Sequence, residues 1–404
     1  MNHIAFICSI LICCSCKKDG PAEPASADHF TVTVSNGYGG GTYEVGDTVH
    51  IFSDAYSANQ LFDQWSGDVS LLDAPYEWHT WFIMPSRAVS LAGHLKNMTS
   101  FTLQYRQIMG RDRMKPVYYY FPANTKGIVY LLHGTDGNAS VLVAEYEWQQ
   151  VIKALVYDGY GVVVTECEES TTHTDANGDG KLRWALLPVD TVANVDYANI
   201  GIITRDFYSR ALLSPSLPRY AIGMSDGGFF ASALSYVYHF GAAICYCAQG
   251  SDYVVQHTTV PLQFCMARFD SNPQVGAQGN ADAQANREAL TGRGVCSRFL
   301  IKERCPVYPG RFARDGSITA SLSEAVFNEM KAKGFLDNKN YFIGSAGDFI
   351  TACQNDPAGF PVFNSLSAKQ QQFVKAQISL SVSDHRMYSD YNHALLQFLS
   401  NPCY

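Results

Sequence analysis

The sequence predicts an α/β protein with a doubly wound, mostly parallel sheet, preceded by a small all-β module. From about residue 101 onward, apolar runs typical of strands buried on both faces alternate with segments of helical spacing. Over residues 29–97, apolar and polar residues instead alternate with period two, which is typical of half-buried strands. The length of 404 residues suits two or three domains, and a hydrophobic fraction of 47% supplies a substantial core.

Charge and hydropathy exclude two classes of function. The net charge is −8, and no run of Lys or Arg is longer than Lys17-Lys18. Nucleic-acid binding needs a basic surface, so we expect no nucleic-acid partner. No apolar run of 18 residues follows the N-terminal segment, which excludes an internal membrane span.

Residues 1–15 (MNHIAFICSILICCS) have the size of a signal peptide, with an uncharged apolar stretch too short to span a bilayer. Small residues and then Cys16-Lys17-Lys18-Asp19 follow, a pattern that resembles a bacterial lipoprotein signal of the Bacteroidetes style. The resemblance implies that Cys16 is lipidated and becomes the first mature residue, with Cys14 as the competing acceptor. The protein would then be anchored in the cell envelope, at the outer membrane facing the periplasm or the surface, with membrane contact through the lipid alone. Residues 16–28 are polar and rich in Pro and Ala, which predicts a tether.

Cysteine usage agrees with export. Eight cysteines follow the predicted signal and Cys16, and an even number in an oxidising compartment permits disulfides. Cys296–Cys305 and Cys353–Cys403 are candidate bridges, although the sequence does not fix the pairing. Cys245 and Cys247 alternate within an apolar run and could be buried thiols. No C-x-x-C pair occurs, so we expect no structural zinc site.

Residues 29–97 contain four strand-like runs, at 30–35, 41–53, 78–85 and 88–95. Glycines at 39–41 followed by Tyr43, Gly46 and Asp47 resemble an internalin-type B-repeat, and Phe62, Trp65 and the Phe82-x-Met84-Pro85 motif fit the same pattern. The resemblance implies a spacer or adhesive unit without catalytic residues. Exposed Trp65, Trp78 and Trp81 would form a platform for glycans or polymers, but filling a small core is the favoured interpretation.

The remaining 300 residues alternate between strands and helices in an order typical of a parallel sheet. Function in such sheets lies at the carboxyl ends of the strands. The predicted strands are 127–134, 160–167, 219–225, 242–250, 261–269 and 297–303, and the predicted helices are 143–159, the segment after Gly227, and 281–294.

The sequence Gly223-Met224-Ser225-Asp226-Gly227 is a G-x-S-x-G motif placed between a predicted strand and a predicted helix. In that setting the glycines permit a sharp turn that lifts the serine hydroxyl above the sheet. The alternative is a plain glycine-rich turn. We interpret Ser225 as a nucleophile.

A serine nucleophile needs a base and an orienting acid. His385 lies just before the last predicted helix, where the chain order Ser, acid, His places the base, and His393 is its competitor. The acid is expected after the second strand that follows the nucleophile, where Asp270 stands. The alternative acids are Asp252, Asp282 and Asp384.

Acyl transfer also needs N–H donors for the developing oxyanion. The glycine-rich segment His133-Gly134-Thr135 ends the first core strand, and the N–H of Thr135 is one candidate donor. The N–H of Asp226 is the second, and the Asp226 side chain would cap the helix that follows. His133 is interpreted as a structural histidine.

Together these residues resemble the α/β-hydrolase family over residues 101–404. The family implies a Ser225–His385–Asp270 hydrolase that works through an acyl-enzyme and needs no cofactor for catalysis. About 80 residues, 304–384, separate the last predicted strand from His385. They contain a Pro/Gly-rich loop, a predicted helix and a further stretch expected to be irregular, and an insertion of this length could form a lid or shape the acyl pocket.

Residues 175–181 (DANGDGK) match the start of a calcium loop, with ligands expected from Asp175, Asn177, Asp179 and the carbonyl of Lys181. The twelfth position is Leu186 and not Glu, so Asp190 or Glu169 would have to complete the site. We interpret the loop as a structural Ca²⁺ site, with a set of Asx turns as the alternative.

The sequence therefore predicts a lipid-anchored serine hydrolase acting on a small-molecule or polymeric carboxylic ester. A serine peptidase and a non-enzymatic surface binding protein are the alternatives. The peptidase ranks lower because no acidic specificity pocket or propeller domain is visible.

Overall fold

The structure is a computed structural model that describes residues 28–54 and 57–403. The predicted signal peptide, Cys16 and nearly all of the predicted tether lie outside these ranges. Within them, no helix combines the length and apolarity needed to cross a membrane.

The N-terminal module folds as two small sheets packed face to face. One sheet has the strand order β3-β1-β7-β5 and the other β2-β4-β6, and all pairs are antiparallel except β1 with β7. Each of the four predicted runs contains strand, but 41–53 is divided into two strands, β3 and β4, that belong to different sheets, and β2 and β5 were not predicted. The strands are β1 (His29–Ser35), β2 (Gly37–Tyr38), β3 (Gly41–Glu44), β4 (Thr48–Ser53), β5 (Gln60–Gly67), β6 (His79–Ile83) and β7 (Val89–Asn97).

Two of the three tryptophans of the module are buried, but in different places. Trp65 and Trp78 are each 3% exposed, and the Trp65 indole donates a hydrogen bond to the Glu77 carbonyl at 3.0 Å. Trp65 belongs to the core of the module, whereas Trp78 packs with Phe52, Cys305 and Tyr308 where the module meets the insertion. Trp81 is 36% exposed. The core interpretation therefore holds for Trp65 alone, and a single exposed indole does not make a platform.

The larger part of the chain is built on one eight-stranded sheet with the order β15-β14-β13-β12-β10-β11-β9-β8. Neighbours from β11 to β15 are parallel, and β8 and β9 are added antiparallel at one edge. This is the α/β-hydrolase fold class that the sequence predicts. The strands are β8 (Gln104–Met109), β9 (Met114–Tyr120), β10 (Gly127–Leu132), β11 (Tyr160–Val164), β12 (Arg219–Met224), β13 (Ala242–Tyr246), β14 (Leu262–Ala267) and β15 (Ser297–Lys302).

Helices cover both faces of this sheet, as expected because its central strands β10, β11 and β13 are buried at every position. Tyr197, Phe230 and Leu290 pack on one face, and Leu155 and Leu395 pack on the other. The α-helices are α1 (Ala139–Ala144), α2 (Tyr146–Tyr157), α3 (Glu168–Thr172), α4 (Val195–Ser209), α5 (Asp226–Tyr238), α6 (Asp252–His257), α7 (Gly276–Gly292), α8 (Ala320–Ala332), α9 (Ala346–Asn355), α10 (Pro361–Asn364), α11 (Ala368–Ser381) and α12 (Asn392–Ser400).

The insertion at 304–384 forms a helical unit with its own core. Helix α8 matches the predicted helix, and the following stretch, expected to be irregular, forms α9 to α11. Val326, Phe349, Phe363 and Ile378 are buried together in this unit.

Buried polar contacts fix the β module against the hydrolase sheet. Glu77 accepts the backbone N–H groups of His393 at 3.2 Å and Ala394 at 2.9 Å, in the first turn of α12. His79 Nδ1 lies 2.8 Å from Asp390 Oδ1, and Lys302 Nζ lies 2.6 Å from the same oxygen. Because buried polar groups are costly to leave unpaired, these hydrogen-bonded partners hold the module in one position.

The disulfide pairing differs from both candidates considered. Cys296 bonds to Cys403, with their Cα atoms 5.0 Å apart, and Cys305 and Cys353 are buried thiols. Cys296 and Cys305 lie beyond opposite ends of β15, which at roughly 3.3 Å per residue separates them far beyond disulfide reach. Cys245 and Cys247 are buried thiols, as the apolar pattern indicated.

Candidate active site

Ser225 stands on a sharp turn between β12 and α5. Its backbone has φ 56° and ψ −124°, a conformation that L-residues rarely adopt, and its N–H donates to the Tyr246 carbonyl on β13 at 2.8 Å. Such strain persists only where the surrounding structure enforces it, and it clusters at functional sites. The turn presents the serine at the carboxyl end of the parallel strands.

The motif glycines are required by close approach of the backbone. A Cβ at Gly223 would overlap the Gly227 carbonyl, and one at Gly227 would overlap the carbonyls of Leu132 and His133. At Gly228 a Cβ would lie 2.7 Å from the Ala248 side chain. The glycine spacing therefore sets both the turn and the packing of α5 against the sheet.

The structure brings the predicted nucleophile, base and acid together. His385 Nε2 lies 2.9 Å from Ser225 Oγ, and His385 Nδ1 lies 2.7 Å from Asp270 Oδ2. Asp270 directly follows the last turn after β14, and its Oδ1 accepts the Asn272 N–H at 2.9 Å. The Asp270 side chain is fully buried, Ser225 is 9% exposed and the His385 side chain is 15% exposed, so all three side chains are largely shielded from solvent.

The competing residues have other partners. His393 stacks on Tyr76 of the module, with ring centroids 4.8 Å apart. Asp384 Oδ1 accepts the N–H groups of Ser271 and His385. Asp282 accepts from the Gln278 amide on α7, and Asp252 lies in the first turn of α6.

Two backbone N–H groups, one adjacent to Ser225 and one in the segment that contacts it, have no hydrogen-bond partner among the described residues. A Cβ at Gly134 would lie 3.3 Å from Ser225 Cβ, so the glycine-rich segment is in contact with the serine. Within the described chain, the N–H groups of Thr135 and Asp226 donate to no other residue. Free N–H groups at a helix start and an adjoining loop are suited to binding a developing oxyanion.

The side chain of Asp226 does not face this oxyanion position. Its Oδ2 accepts the Trp184 N–H at 2.7 Å, so it binds a neighbouring loop and does not cap α5. Burial raises the pKa of Asp226 to about 6, opposed by that hydrogen bond.

His133 has a structural role. Its Nδ1 lies 2.7 Å from the Gly134 carbonyl, and its Nε2 accepts the Cys167 N–H at 3.1 Å. Both ring nitrogens are therefore engaged by the backbone. Burial lowers the pKa of His133 to about 4, so the ring is neutral at pH 7.

Two further residues adjoin the triad geometry and were not predicted. Asn272 Nδ2 lies 3.3 Å from His385 Nε2. Ligand atoms of Cys247, Asp270 and His385 all lie within 4.8 Å of one another, and burial raises the pKa of the Cys247 thiol. The position of Cys247 just after β13 could have indicated that it lies near Ser225, because both are at the same edge of the sheet.

A cavity of about 140 Å³ adjoins His385. Residues from the glycine-rich segment, α1, α2 and the His385 loop line it, including Thr135, Leu142, Trp148 and Met387. Residues 304–384 contribute nothing to this lining, so the insertion does not shape the cavity as a lid would.

The predicted calcium loop is closed by hydrogen bonds of its own. Asp175 accepts the N–H groups of Asn177, Gly178 and Gly180, and Asn177 and Asp179 accept from the residues two positions on. Glu169 accepts from Ala176 and Arg183. These Asx turns hold the oxygens near one another but also occupy them, so the donor set fits a cation only if the ion replaces part of this hydrogen bonding.

Comparison with known proteins finds distant structural similarity only. No protein-family model matches the sequence, and no curated protein matches it. Solved structures that resemble it include a ferulic acid esterase (14% identity, 50% of this chain and 89% of the other, TM-score 0.36) and a dienelactone hydrolase from Anabaena variabilis (15%, 50% and 86%, 0.35). An acylaminoacyl peptidase from Pyrococcus horikoshii shares 10% identity over 76% of this chain and 52% of its own, with a TM-score of 0.37. Similarity of this extent does not bear on the substrate.

Proposed function

We propose that the protein is a serine hydrolase that cleaves carboxylic esters through an acyl-enzyme. The observation that carries the proposal is the continuous contact from Ser225 Oγ to His385 Nε2 and from His385 Nδ1 to Asp270 Oδ2, at 2.9 and 2.7 Å. A purely binding scaffold has no need for this arrangement at a strained turn.

The reaction follows from these contacts. Ser225 Oγ attacks the ester carbonyl carbon while His385 Nε2 accepts its proton. Asp270 holds the Nδ1–H tautomer and stabilises the imidazolium that forms. The Thr135 and Asp226 N–H groups bind the oxyanion, and the alcohol leaves with the proton from His385. Water, activated by the same imidazole, then attacks the acyl-enzyme and releases the acid.

The cavity beside His385 supports a short acyl group. Its volume of about 140 Å³ is below the range of roughly 300–1,000 Å³ that drug-sized ligands occupy. Leu142, Trp148 and Met387 give it apolar walls. We expect acetyl and butyryl esters to be hydrolysed faster than octanoyl esters.

Two measurements on the full-length protein test this proposal. p-Nitrophenyl esters of increasing acyl length report turnover, and a fluorophosphonate probe reports covalent reaction at the nucleophile. Ser225→Ala should abolish both, and Ser216→Ala, which removes an exposed hydroxyl elsewhere, should change neither. Labelling that persists in Ser225→Ala would contradict the assignment.

The rival functions give different results in the same assays. A peptidase would cleave aminoacyl p-nitroanilides more efficiently than esters of the same acyl group. A binding protein would show neither turnover nor labelling while remaining folded.

We also propose that Cys16 carries a lipid anchor. The support is the sequence pattern, since the residue lies outside the described ranges. Expression with a radiolabelled fatty acid should label the wild-type protein, and Cys16→Ser should remove the label. Label that is lost only in Cys14→Ser would move the site to that residue.

A further inference from the structure

A second, larger cavity lies at the junction between the β module and the insertion. Its volume is about 740 Å³, within the range of small-ligand sites of about 300–1,000 Å³. One wall comes from the segment 37–52 of the module and the other from the loops 306–309 and 338–341 of the insertion. We call it the junction groove, and none of Ser225, His385 and Asp270 lines it.

The walls of the junction groove are fixed in place. The rings of Tyr38 and Tyr308 contact each other across the junction, with centroids 4.8 Å apart. A Cβ at Gly310 would overlap the Tyr38 ring, which shows how closely the two parts approach. Because the buried contacts of Glu77 and His79 also hold the module, a ligand would meet a preformed site and spend little free energy on ordering it.

The charged side chains that line the groove are paired with one another. Lys339 Nζ lies 2.8 Å from Asp47 Oδ1, and His29 Nε2 lies 3.5 Å from Glu44 Oε1. Burial lowers the pKa of His50 to about 2, so its ring is neutral. The one lysine in this lining, Lys339, is already paired with Asp47, which argues against phosphates, nucleotides and acidic polymers as ligands.

The uncharged lining combines aromatic rings with polar groups. Tyr43 and Tyr341 are partly exposed in the groove, and the Tyr43 hydroxyl donates to the Gly39 carbonyl at 2.9 Å, which holds its ring in place. Asn338 and the backbone of the glycine segment 39–41 add amide groups. Aromatic rings pack against apolar faces, and the neighbouring amide groups can form hydrogen bonds with hydroxyls. This combination suits a ligand whose ring has both an apolar face and hydroxyl groups.

We propose that the junction groove binds a neutral oligosaccharide. This binding is independent of the ester chemistry, and it would tether a glycan-borne ester near the enzyme. A peptide adding as a strand is the competing occupant, but the edge strands that line the groove are short, with four residues in β3 and two in β2.

The test uses full-length protein with Ser225→Ala as the parent, so that bound esters are not cleaved. Affinity electrophoresis and calorimetry measure binding to soluble arabinoxylan, mixed-linkage β-glucan and galactomannan. Binding to at least one polysaccharide is expected. Tyr43→Ala and Tyr341→Ala should each weaken it by about tenfold or more.

Three controls keep the test decisive. Tyr341→Phe retains the ring and should retain binding, and Tyr105→Ala removes an exposed tyrosine on β8 and should have no effect. When Ser225 is intact, each tyrosine variant should hydrolyse p-nitrophenyl acetate at the wild-type rate. This result separates the binding proposal from the catalytic one. Failure to bind any of the three polysaccharides, or binding unchanged in Tyr43→Ala and Tyr341→Ala, would overturn it. The proposal would also be overturned if the protein bound a tryptic casein digest instead of the polysaccharides and if that binding depended on Tyr43 and Tyr341.

Discussion

The carboxylate of Asp226, adjacent to the nucleophile in sequence, accepts the backbone N–H of Trp184 with an oxygen–nitrogen distance of 2.7 Å. The contact ties the loop after the DANGDGK segment to the first turn of α5. It also engages the one acidic side chain next to the expected oxyanion, so that only the Asp226 N–H is free for the reaction. Burial raises the pKa of this carboxyl to about 6.

We therefore expect Asp226→Asn to change how stability depends on pH. In the unfolded chain an Asp carboxyl ionises near pH 3.9, whereas in the folded protein Asp226 retains its proton until about pH 6. The wild type thus loses stability as pH rises through this window, and Asn does not titrate. Two pKa units correspond to about 2–3 kcal/mol. Denaturant unfolding at pH 4, 5, 6 and 7 should show that the free energy of unfolding of the variant rises, relative to that of the wild type, by that amount across this pH range.

Asp112→Asn provides the matched control, because Asp112 is exposed at the β8–β9 turn. Its stability difference from the wild type should be the same at all four pH values. A constant difference for Asp226→Asn as well would show that the folded environment does not hold the proton.

A second prediction concerns the docking of the module through Glu77. This buried carboxyl accepts two N–H groups of α12, and burial raises its pKa to about 8. Glu77→Ala leaves those donors unpaired and should cost about 1–3 kcal/mol, whereas Glu77→Gln keeps an acceptor and should cost less. Denaturant unfolding at pH 7 measures both. Equal losses in the two variants would mean that the hydrogen bonds to α12 contribute nothing.

The same carboxyl sets a pH dependence in the alkaline direction. Its unfolded-state pKa is near 4.3, so the stability that depends on the protonated form is lost as pH rises toward 8. Glu77→Gln cannot ionise, so its free energy of unfolding should increase relative to that of the wild type between pH 5 and 8. A gain that appears only below pH 5 would contradict the raised pKa.

The central strands and the three triad residues were predictable because their signals are local or follow chain order. Strands β10, β11 and β13 contain no charged residue and no polar amide, and the glycines around Ser225 indicate the turn directly. Asp270 and His385 follow from strand order, since parallel strands end at the same edge of the sheet.

Other features were missed because their signals lie outside the local sequence. Helix α4 buries Asp196, Asn199 and Thr204 among its apolar residues, so its amphipathic pattern is hidden. Pro116 lies inside β9, where proline argues against a strand. Asn272 and the Cys296–Cys403 pairing depend on three-dimensional proximity, which residue spacing does not encode.

The third prediction concerns the contribution of the observed disulfide to stability. Cys296 and Cys403 are 107 residues apart, and closing a loop of that length stabilises the folded state by up to about 4–5 kcal/mol in the chain-entropy model. Cys403→Ser should lower the denaturation midpoint, and dithiothreitol should then have no further effect on it. If the variants Cys305→Ser or Cys353→Ser removed the sensitivity to dithiothreitol instead, the pairing would be wrong.

The calcium loop supplies the last prediction. Asp175, Asn177 and Asp179 hold their oxygens close together through Asx turns, and the carbonyl of Lys181 is the fourth expected ligand. We expect Ca²⁺ to raise the melting temperature of the full-length protein and EDTA to lower it, because a ligand at 100 times its Kd adds about 2.7 kcal/mol. Asp175→Ala should abolish the response, while Asp112→Asn should leave it intact. An identical melting curve in Ca²⁺ and EDTA would leave the Asx turns as the whole explanation of the motif.

Ester turnover should persist in EDTA, since the proposed chemistry uses only Ser225, His385 and Asp270.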